Sequence, residues 1–127
     1  VMEMLKGSKV WPSVDTFDGA IFFIETSEEA PSADYVIRCM RNYAATGILK
    51  RIAGIIIGRP ANVQINEIDK YADAVLQVVK TENNLDIPVV SNLDFGHTDP
   101  MFLIPYGAKA KIDMENKIFS ILDNAVI

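Results

Sequence analysis

The sequence Ile52-Ala53-Gly54-Ile55-Ile56-Ile57, closed by Gly58-Arg59-Pro60, decides the fold class of this chain. A short apolar run that is rich in β-branched residues and bounded by Gly and Pro is typical of a strand buried on both faces of a sheet. Similar runs occur at residues 20–24 and 87–90. We therefore predict three buried strands.

Helical periodicity separates the three runs. Pro31 and Ser32 suit the first turn and the cap of a helix that Gly47 ends, and a second helix is expected from about Val63 to Thr81. The predicted apolar stripe of the first helix is Tyr35, Val36, Cys39, Met40, Tyr43 and Ala44, and that of the second is Ile65, Ile68, Ala72, Val75, Leu76 and Val79. The strand-helix-strand-helix-strand order implies right-handed crossovers and a parallel sheet.

The pattern changes after residue 100. Short runs at 102–105, 108–113 and 117–122, with a plausible turn at Met114-Glu115-Asn116, indicate a small antiparallel tail. The predicted fold is thus α/β: a small parallel sheet with flanking helices plus a short antiparallel β tail. Residues 1–19 are interpreted as a lead-in segment, and residues 20–127 as the domain itself.

Composition excludes several classes of function. The chain has 127 residues and a formal net charge of −5, which argues against nucleic-acid binding. No apolar run approaches the roughly 20 residues that a membrane span needs, and no signal peptide is visible, so we expect a cytoplasmic protein. Cys39, at an apolar helical position, is expected to be a buried small hydrophobe. No phosphate loop or dinucleotide motif is present, so no cofactor is predicted.

Ligands of an open parallel sheet bind beyond the carboxyl ends of its strands. Glu25 is the first residue after the first run, and His97, the only histidine, lies in the loop after the third. If those strands are neighbours, the carboxylate and the imidazole face each other at one edge. A carboxylate that accepts from one ring nitrogen fixes the tautomer and stabilises the imidazolium, as a general base requires.

Other interpretations of these loops stay open at this point. Glu25 can belong to a solvated acidic loop, and His97 can be a surface residue without a role. Asp94, His97 and Asp99 could supply mixed metal ligands, but their spacing matches no specific metal motif, so no metal site is predicted. None of the six serines lies in a nucleophile elbow.

Several segments resemble the LD-carboxypeptidase family of serine peptidases. They are Phe22–Glu29, Arg38–Tyr43 with Ala45–Leu49, Ile55–Arg59 and, most specifically, Asn92–Pro100 with Pro105–Ala108. The resemblance covers about Trp11 to Asp113. Its Glu-Thr-Ser-Glu-Glu segment is more similar to the microcin C immunity branch than to the muramoyl-tetrapeptide branch.

The resemblance implies a division of labour between two domains. In this family the N-terminal domain carries the nucleophilic serine and the oxyanion hole, and the C-terminal domain contributes a glutamate and a histidine. Glu25 would be the triad glutamate and His97 the base, with Glu28 and Glu29 as competitors for the first role. The serine-bearing domain is absent from this sequence, which starts at Val1, so we expect a piece of a longer protein that is inactive alone.

The resemblance also implies partners and a reaction. The partners would be the N-terminal serine-bearing domain and a peptide or peptidyl-nucleotide substrate, and the full-length protein is expected to be a homodimer without a metal. The reaction would be hydrolysis of an LD-peptide bond or of a peptidyl-aminoacyl-nucleotide amide. The alternative is a non-enzymatic α/β binding or regulatory domain.

Overall fold

The computed structural model describes residues 2–124. Its strands are β1 (Ile21–Ile24), β2 (Gly54–Gly58), β3 (Val89–Leu93), β4 (Ala110–Asp113) and β5 (Ile118–Ile121). Its α-helices are α1 (Met2–Leu5), α2 (Ala33–Ala45) and α3 (Asp69–Leu76), and α3 continues as a π-helical segment at Gln77–Glu82. Short 3-10 turns occur at Val14–Phe17, Ile48–Lys50 and Ile65–Glu67.

Strands β1, β2 and β3 form a parallel sheet in that order, which confirms the predicted architecture. All five residues of β2 are buried, as expected for the central strand. The edge strands differ from expectation, because in β1 only Phe22 is fully buried and in β3 no residue is. Within residues 2–124 no further strand pairs with their outer edges, and both strands are less buried than β2.

The pairing of β2 with β3 contains an irregularity near the site described below. Ile56 pairs with Val90, but Gly58 pairs with Leu93, so β3 has one extra residue. Asn92 lies in this segment with a φ of +60°, a conformation that Asn tolerates better than most residues. The bulge extends the strand to Leu93, three residues beyond the predicted end at Val90.

Helices α2 and α3 contact each other. Because the strand order follows the chain and such crossovers are right-handed, both helices lie on the same face of the sheet. The Ser32 side chain caps α2 by accepting from the Tyr35 backbone N–H, and Gly47, with a φ of +83°, follows its end. Val36, Met40 and Tyr43 form the buried side of α2. Tyr35 is exposed and Cys39 is only partly buried, so these two predictions of core positions were wrong.

The core face of the second helix agrees with the prediction at Val75 and Val79 but differs elsewhere. Its buried residues are Tyr71, Ala74, Val75, Val78 and Val79. Ile65, placed in the core by the sequence pattern, is 88% exposed, and Leu76 is also exposed. Tyr71 accounts for this orientation of the helix, because its ring is buried and its hydroxyl donates to the Pro31 carbonyl at 2.8 Å.

The antiparallel tail is present as the hairpin β4–β5. Its turn is stabilised by Asp113, whose carboxylate accepts from the Asn116 backbone N–H at 3.0 Å. The run at 102–105 forms no strand, and Phe102 and Leu103 are exposed.

The lead-in segment contains α1 and a 3-10 turn, and Trp11 packs near Phe17 and Tyr43. The domain boundary at residue 19 stays a prediction. Among the described residues, no helix combines the length and apolarity that crossing a membrane requires.

Candidate active site

Glu25 and His97 meet at the carboxyl edge of the parallel sheet. Glu25 directly follows β1, and His97 lies in the loop after β3. The Nδ1 atom of His97 lies 2.6 Å from Oε2 of Glu25. An ionised carboxylate can only accept a hydrogen bond, so Nδ1 carries the proton and donates it to Glu25. The predicted contact is therefore present, while the catalytic roles of the two residues stay predictions.

The contact does not arise in the way that the sequence suggested. Strands β1 and β3 are not neighbours, because β2 lies between them. The loop after β3 crosses the end of β2 at Gly58, where a Cβ atom would lie 2.6 Å from the Phe95 carbonyl oxygen and 3.2 Å from Cβ of Glu25. The missing side chain at Gly58 thus lets the loop approach Glu25.

Gly96 allows the loop to pack directly against Glu25. A Cβ atom at Gly96 would lie 2.6 Å from Oε2 and 2.7 Å from Cβ of Glu25, and its φ is +88°. Both the close packing and the positive φ therefore favour glycine at this position. Sequence reasoning did not assign a site function to either glycine.

Phe95 anchors the loop next to these glycines. Its side chain is buried, and its ring packs edge-on against Phe23 of β1 with centroids 5.9 Å apart. Its backbone N–H donates to the Leu93 carbonyl at 2.9 Å. The backbone is thus fixed two residues before His97, although the imidazole itself remains accessible, with 46% of its side chain exposed.

Glu28 approaches the other ring nitrogen. Its Oε2 lies 3.1 Å from Nε2 of His97, but only the Glu25 contact has hydrogen-bond geometry. Asn62 holds the Glu28 backbone by donating to its carbonyl at 2.9 Å. Glu29, the third candidate, forms no ion pair within residues 2–124. The geometry therefore places Glu25 on Nδ1 and leaves Glu28 beside the nitrogen that would face a nucleophile.

The two carboxylates change the acidity of the imidazole. The hydrogen bond that His97 donates to Glu25, together with the charge of Glu25, raises the pKa of His97 above its ordinary value of 6.5, and the charge of Glu28 adds to this, while burial opposes it. A higher pKa makes the imidazole a stronger base, but keeps it protonated to a higher pH.

Next to His97, residues 2–124 hold neither a nucleophile nor a set of metal ligands. No serine side chain in residues 2–124 hydrogen-bonds to His97. Asp94 directs Oδ1 of its carboxylate to Nη2 of Arg59 at 2.8 Å. Residues 2–124 contain no cluster of three acidic, histidine or cysteine side chains suited to a metal ion. The site as described holds an imidazole that is hydrogen-bonded to one carboxylate.

Comparison with known proteins gives a consistent family. The family model of the LD-carboxypeptidase C-terminal domain matches residues 1–112. The microcin C7 self-immunity protein MccF of Escherichia coli is 28% identical over 117 residues, which cover 92% of this chain and 32% of that protein.

Two solved structures are similar in fold and sequence. An MccF-like protein from Streptococcus pneumoniae in complex with AMP has a TM-score of 0.74 and 29% identity, over 94% of this chain and 34% of that one. Muramoyltetrapeptide carboxypeptidase from Oxalobacter formigenes has a TM-score of 0.63 and 26% identity, over 86% of this chain and 38% of that one. The chain spans about a third of the length of the curated relatives it matches.

Proposed function

Because the chain belongs to the LD-carboxypeptidase family, as its C-terminal domain, we propose that it supplies the general base and the orienting carboxylate of a serine-type amide hydrolase. The contact of 2.6 Å between Nδ1 of His97 and Oε2 of Glu25 carries this proposal. It is the arrangement that directs Nε2 away from the carboxylate and towards a reacting group. The family supports a carboxypeptidase as the whole protein.

The proposed chemistry assigns one task to each residue. Nε2 of His97 removes the proton from a serine hydroxyl as the serine oxygen attacks the carbonyl carbon, and later delivers that proton to the leaving amine. Glu25 keeps Nδ1 protonated and stabilises the imidazolium between these steps. The serine and the oxyanion donors come from another part of the protein, which we place in an N-terminal domain.

The position of Glu28 adds a condition to this mechanism. Its carboxylate lies 3.1 Å from Nε2, on the side where the serine hydroxyl has to approach. The Glu28 side chain is 65% exposed, so it can rotate away at small cost. Glu28 therefore has to leave Nε2 before proton transfer, whereas Glu25 stays in place throughout the reaction.

For the substrate we propose an amide of the class handled by the microcin C immunity branch, a peptidyl-aminoacyl-nucleotide, with an LD-linked peptide as the second candidate. Two observations favour the nucleotide class: the similarity to MccF and the similarity to an MccF-like protein whose structure contains AMP. The Glu25-Thr26-Ser27-Glu28-Glu29 segment also resembles that branch.

The test uses the full-length protein that contains this chain, with a peptidyl-aminoacyl-nucleotide and an LD-linked tetrapeptide as substrates. His97→Ala is expected to lower kcat by about 10³-fold or more, and Glu25→Gln by about 10³- to 10⁴-fold. Glu29→Gln, in the same loop, is the matched control and should retain nearly normal turnover. Near-normal rates in His97→Ala would contradict the proposal.

The present chain alone provides the second arm of the test. It should hydrolyse neither substrate, because a base and its carboxylate without a nucleophile and oxyanion donors give little catalysis. If the full-length protein binds a ligand equally well with and without His97 and hydrolyses neither substrate, it is instead a non-enzymatic binding domain.

A further inference from the structure

Arg59 follows β2 directly and contacts both sides of the loop that carries His97. Its Nη2 and Nε atoms donate to Oδ1 of Asp94 at 2.8 and 3.1 Å, and Nη2 also donates to the Asp99 carbonyl at 3.2 Å. Its backbone N–H donates to the Leu93 carbonyl at 2.8 Å. One residue therefore fixes the start of the loop and its far side.

We propose that Arg59 is a positioning residue, which closes the loop from Asp94 to Asp99 so that His97 stays on Glu25. The geometry of the dyad does not depend on the proposed function, but the importance of Arg59 for turnover does. Sequence reasoning placed Arg59 at this edge of the sheet without giving it a role.

Few other interactions hold this part of the loop. Within residues 2–124, the hydrogen bonds that join residues 96–99 to the rest of the chain are that of His97 with Glu25 and that of Arg59 with the Asp99 carbonyl. Gly96 adds backbone freedom immediately before His97. Without the second hydrogen bond, residues 96–99 would be held only by the dyad, by the buried Phe95 before them and by the Phe102 N–H that donates to the Asp94 carbonyl at 2.6 Å after them.

The chemistry of the contact requires an arginine. A guanidinium group presents several N–H donors in a rigid plane, so it can bind the Asp94 carboxylate through two of them and still reach the Asp99 carbonyl. A lysine carries the same charge at a single nitrogen and does not reproduce this fork. Arg59→Lys therefore separates the effect of geometry from that of charge.

The contact between Arg59 and Asp94 is not expected to serve stability alone. The side chains of Arg59 and Asp94 are 34% and 37% exposed, and ion pairs of this kind contribute little to stability. Arg51 makes a comparable contact with Asp18, with Nη1 at 2.8 and 3.0 Å from the two carboxylate oxygens. Arg51 follows the 3-10 turn that precedes β2, so it lies at the opposite end of the strand and serves as the matched control.

The experiment measures the pKa of His97 by NMR titration of its Cε1 proton in this chain. Arg59→Lys and Arg59→Gln are both expected to lower the pKa of His97 towards 6.5, because a released loop weakens the hydrogen bond with Glu25 that raises it. Arg51→Gln should leave it unchanged. If Arg59 acted only through its charge, Arg59→Gln would instead raise the pKa of His97, because removing a nearby cation favours the protonated imidazole.

Each outcome of this experiment either supports or overturns the inference. A pKa of His97 that is unchanged or raised in Arg59→Gln, or that stays at the wild-type value in a folded Arg59→Lys chain, would overturn the inference. If Arg59→Gln fails to fold, Arg59→Lys decides the question, since it keeps the charge. Dispersion of the amide spectrum reports folding in each variant.

A second readout in the full-length enzyme links this inference to the proposed function. Arg59→Lys should lower kcat with little change in KM, and should shift the rising limb of the pH profile of kcat/KM to lower pH. If the pKa of His97 falls but turnover is unaffected, the positioning role stands and the catalytic role of His97 fails. If neither changes, the positioning role itself is refuted.

Discussion

The close approach of Gly96 to Glu25 gives a prediction whose size can be worked out from the structure. In Gly96→Ala the new Cβ atom would lie 2.7 Å from Cβ and 2.6 Å from Oε2 of Glu25. The carboxylate can rotate away, but the Cβ atom of Glu25 is fixed to the end of β1, so the loop itself has to move. We expect about 1–3 kcal/mol of destabilisation from this overlap, in addition to about 1–2 kcal/mol for alanine in a left-handed conformation.

Gly107→Ala is the matched control for the second contribution. Gly107 has a φ of +73°, and nothing lies within 4 Å of the position that its Cβ would take. Its substitution should cost only the conformational energy, about 1–2 kcal/mol. The effect of alanine on the unfolded chain is common to both variants and cancels in the comparison.

Urea unfolding followed by circular dichroism measures both free energies of unfolding, and NMR titration follows His97. Gly96→Ala should be the less stable variant by about 1–3 kcal/mol, and the pKa of His97 should fall in it but not in Gly107→Ala. Equal destabilisation of the two variants, with an unchanged titration of His97 in both, would refute the argument that Gly96 is required by the contact with Glu25.

Three further predictions concern the dyad and the core. Glu25→Gln should lower the pKa of His97 more than Glu28→Gln does, because the hydrogen bond and charge of Glu25 are the largest causes of the shift; NMR titration that gives the reverse order would identify Glu28 as the main partner. Since the folded-state pKa of His97 is raised, its pairing stabilises the chain fully below about pH 6.5 and this stabilisation is lost as the pH rises through the folded-state value. The midpoint of urea unfolding should therefore fall as the pH rises through that range, and it should fall less in the Glu25→Gln variant. Ile55→Ala, at a fully buried position, should cost about 2–5 kcal/mol, whereas Ile65→Ala should stay within about 0.5 kcal/mol in the same assay, because Ile65 is 88% exposed.

The parts of the fold that sequence predicted are those that depend on local pattern. The apolar run at Ile52–Ile57 identified the central strand, and the two helical segments on either side of it fixed the parallel order. The core face of the second helix was predicted only in part: Val75 and Val79 are buried as expected, whereas Ile65 and Leu76 are exposed. Tyr71, which was not predicted in the core, is buried and donates its hydroxyl to the Pro31 carbonyl, a tertiary contact that spacing alone does not encode.

The candidate site was predictable in its residues but not in its construction. Glu25 and His97 follow strands, and loops at the carboxyl ends of parallel strands share one edge. The expectation that they meet assumed neighbouring strands, whereas β2 separates β1 from β3. What replaces adjacency is the close packing of Gly58 and of Gly96 against Glu25. No periodicity encodes such a contact, since each glycine taken alone also fits an ordinary turn.

The same reasoning explains why Arg59 was given no role, and why Glu28 was predicted only as a competitor of Glu25 and not beside Nε2 of His97. The fork of Arg59 needs the Asp94 carboxylate and the Asp99 carbonyl on one side, and the bulge in β3 helps to set that arrangement by moving the end of the strand to Leu93. The backbone of Glu28, whose side chain reaches Nε2, is held by Asn62, which lies 34 residues away in the sequence. Both contacts join loops that follow different strands. Residue type and position thus identify the dyad, whereas the supporting contacts exist only once the sheet has set the distances between the loops.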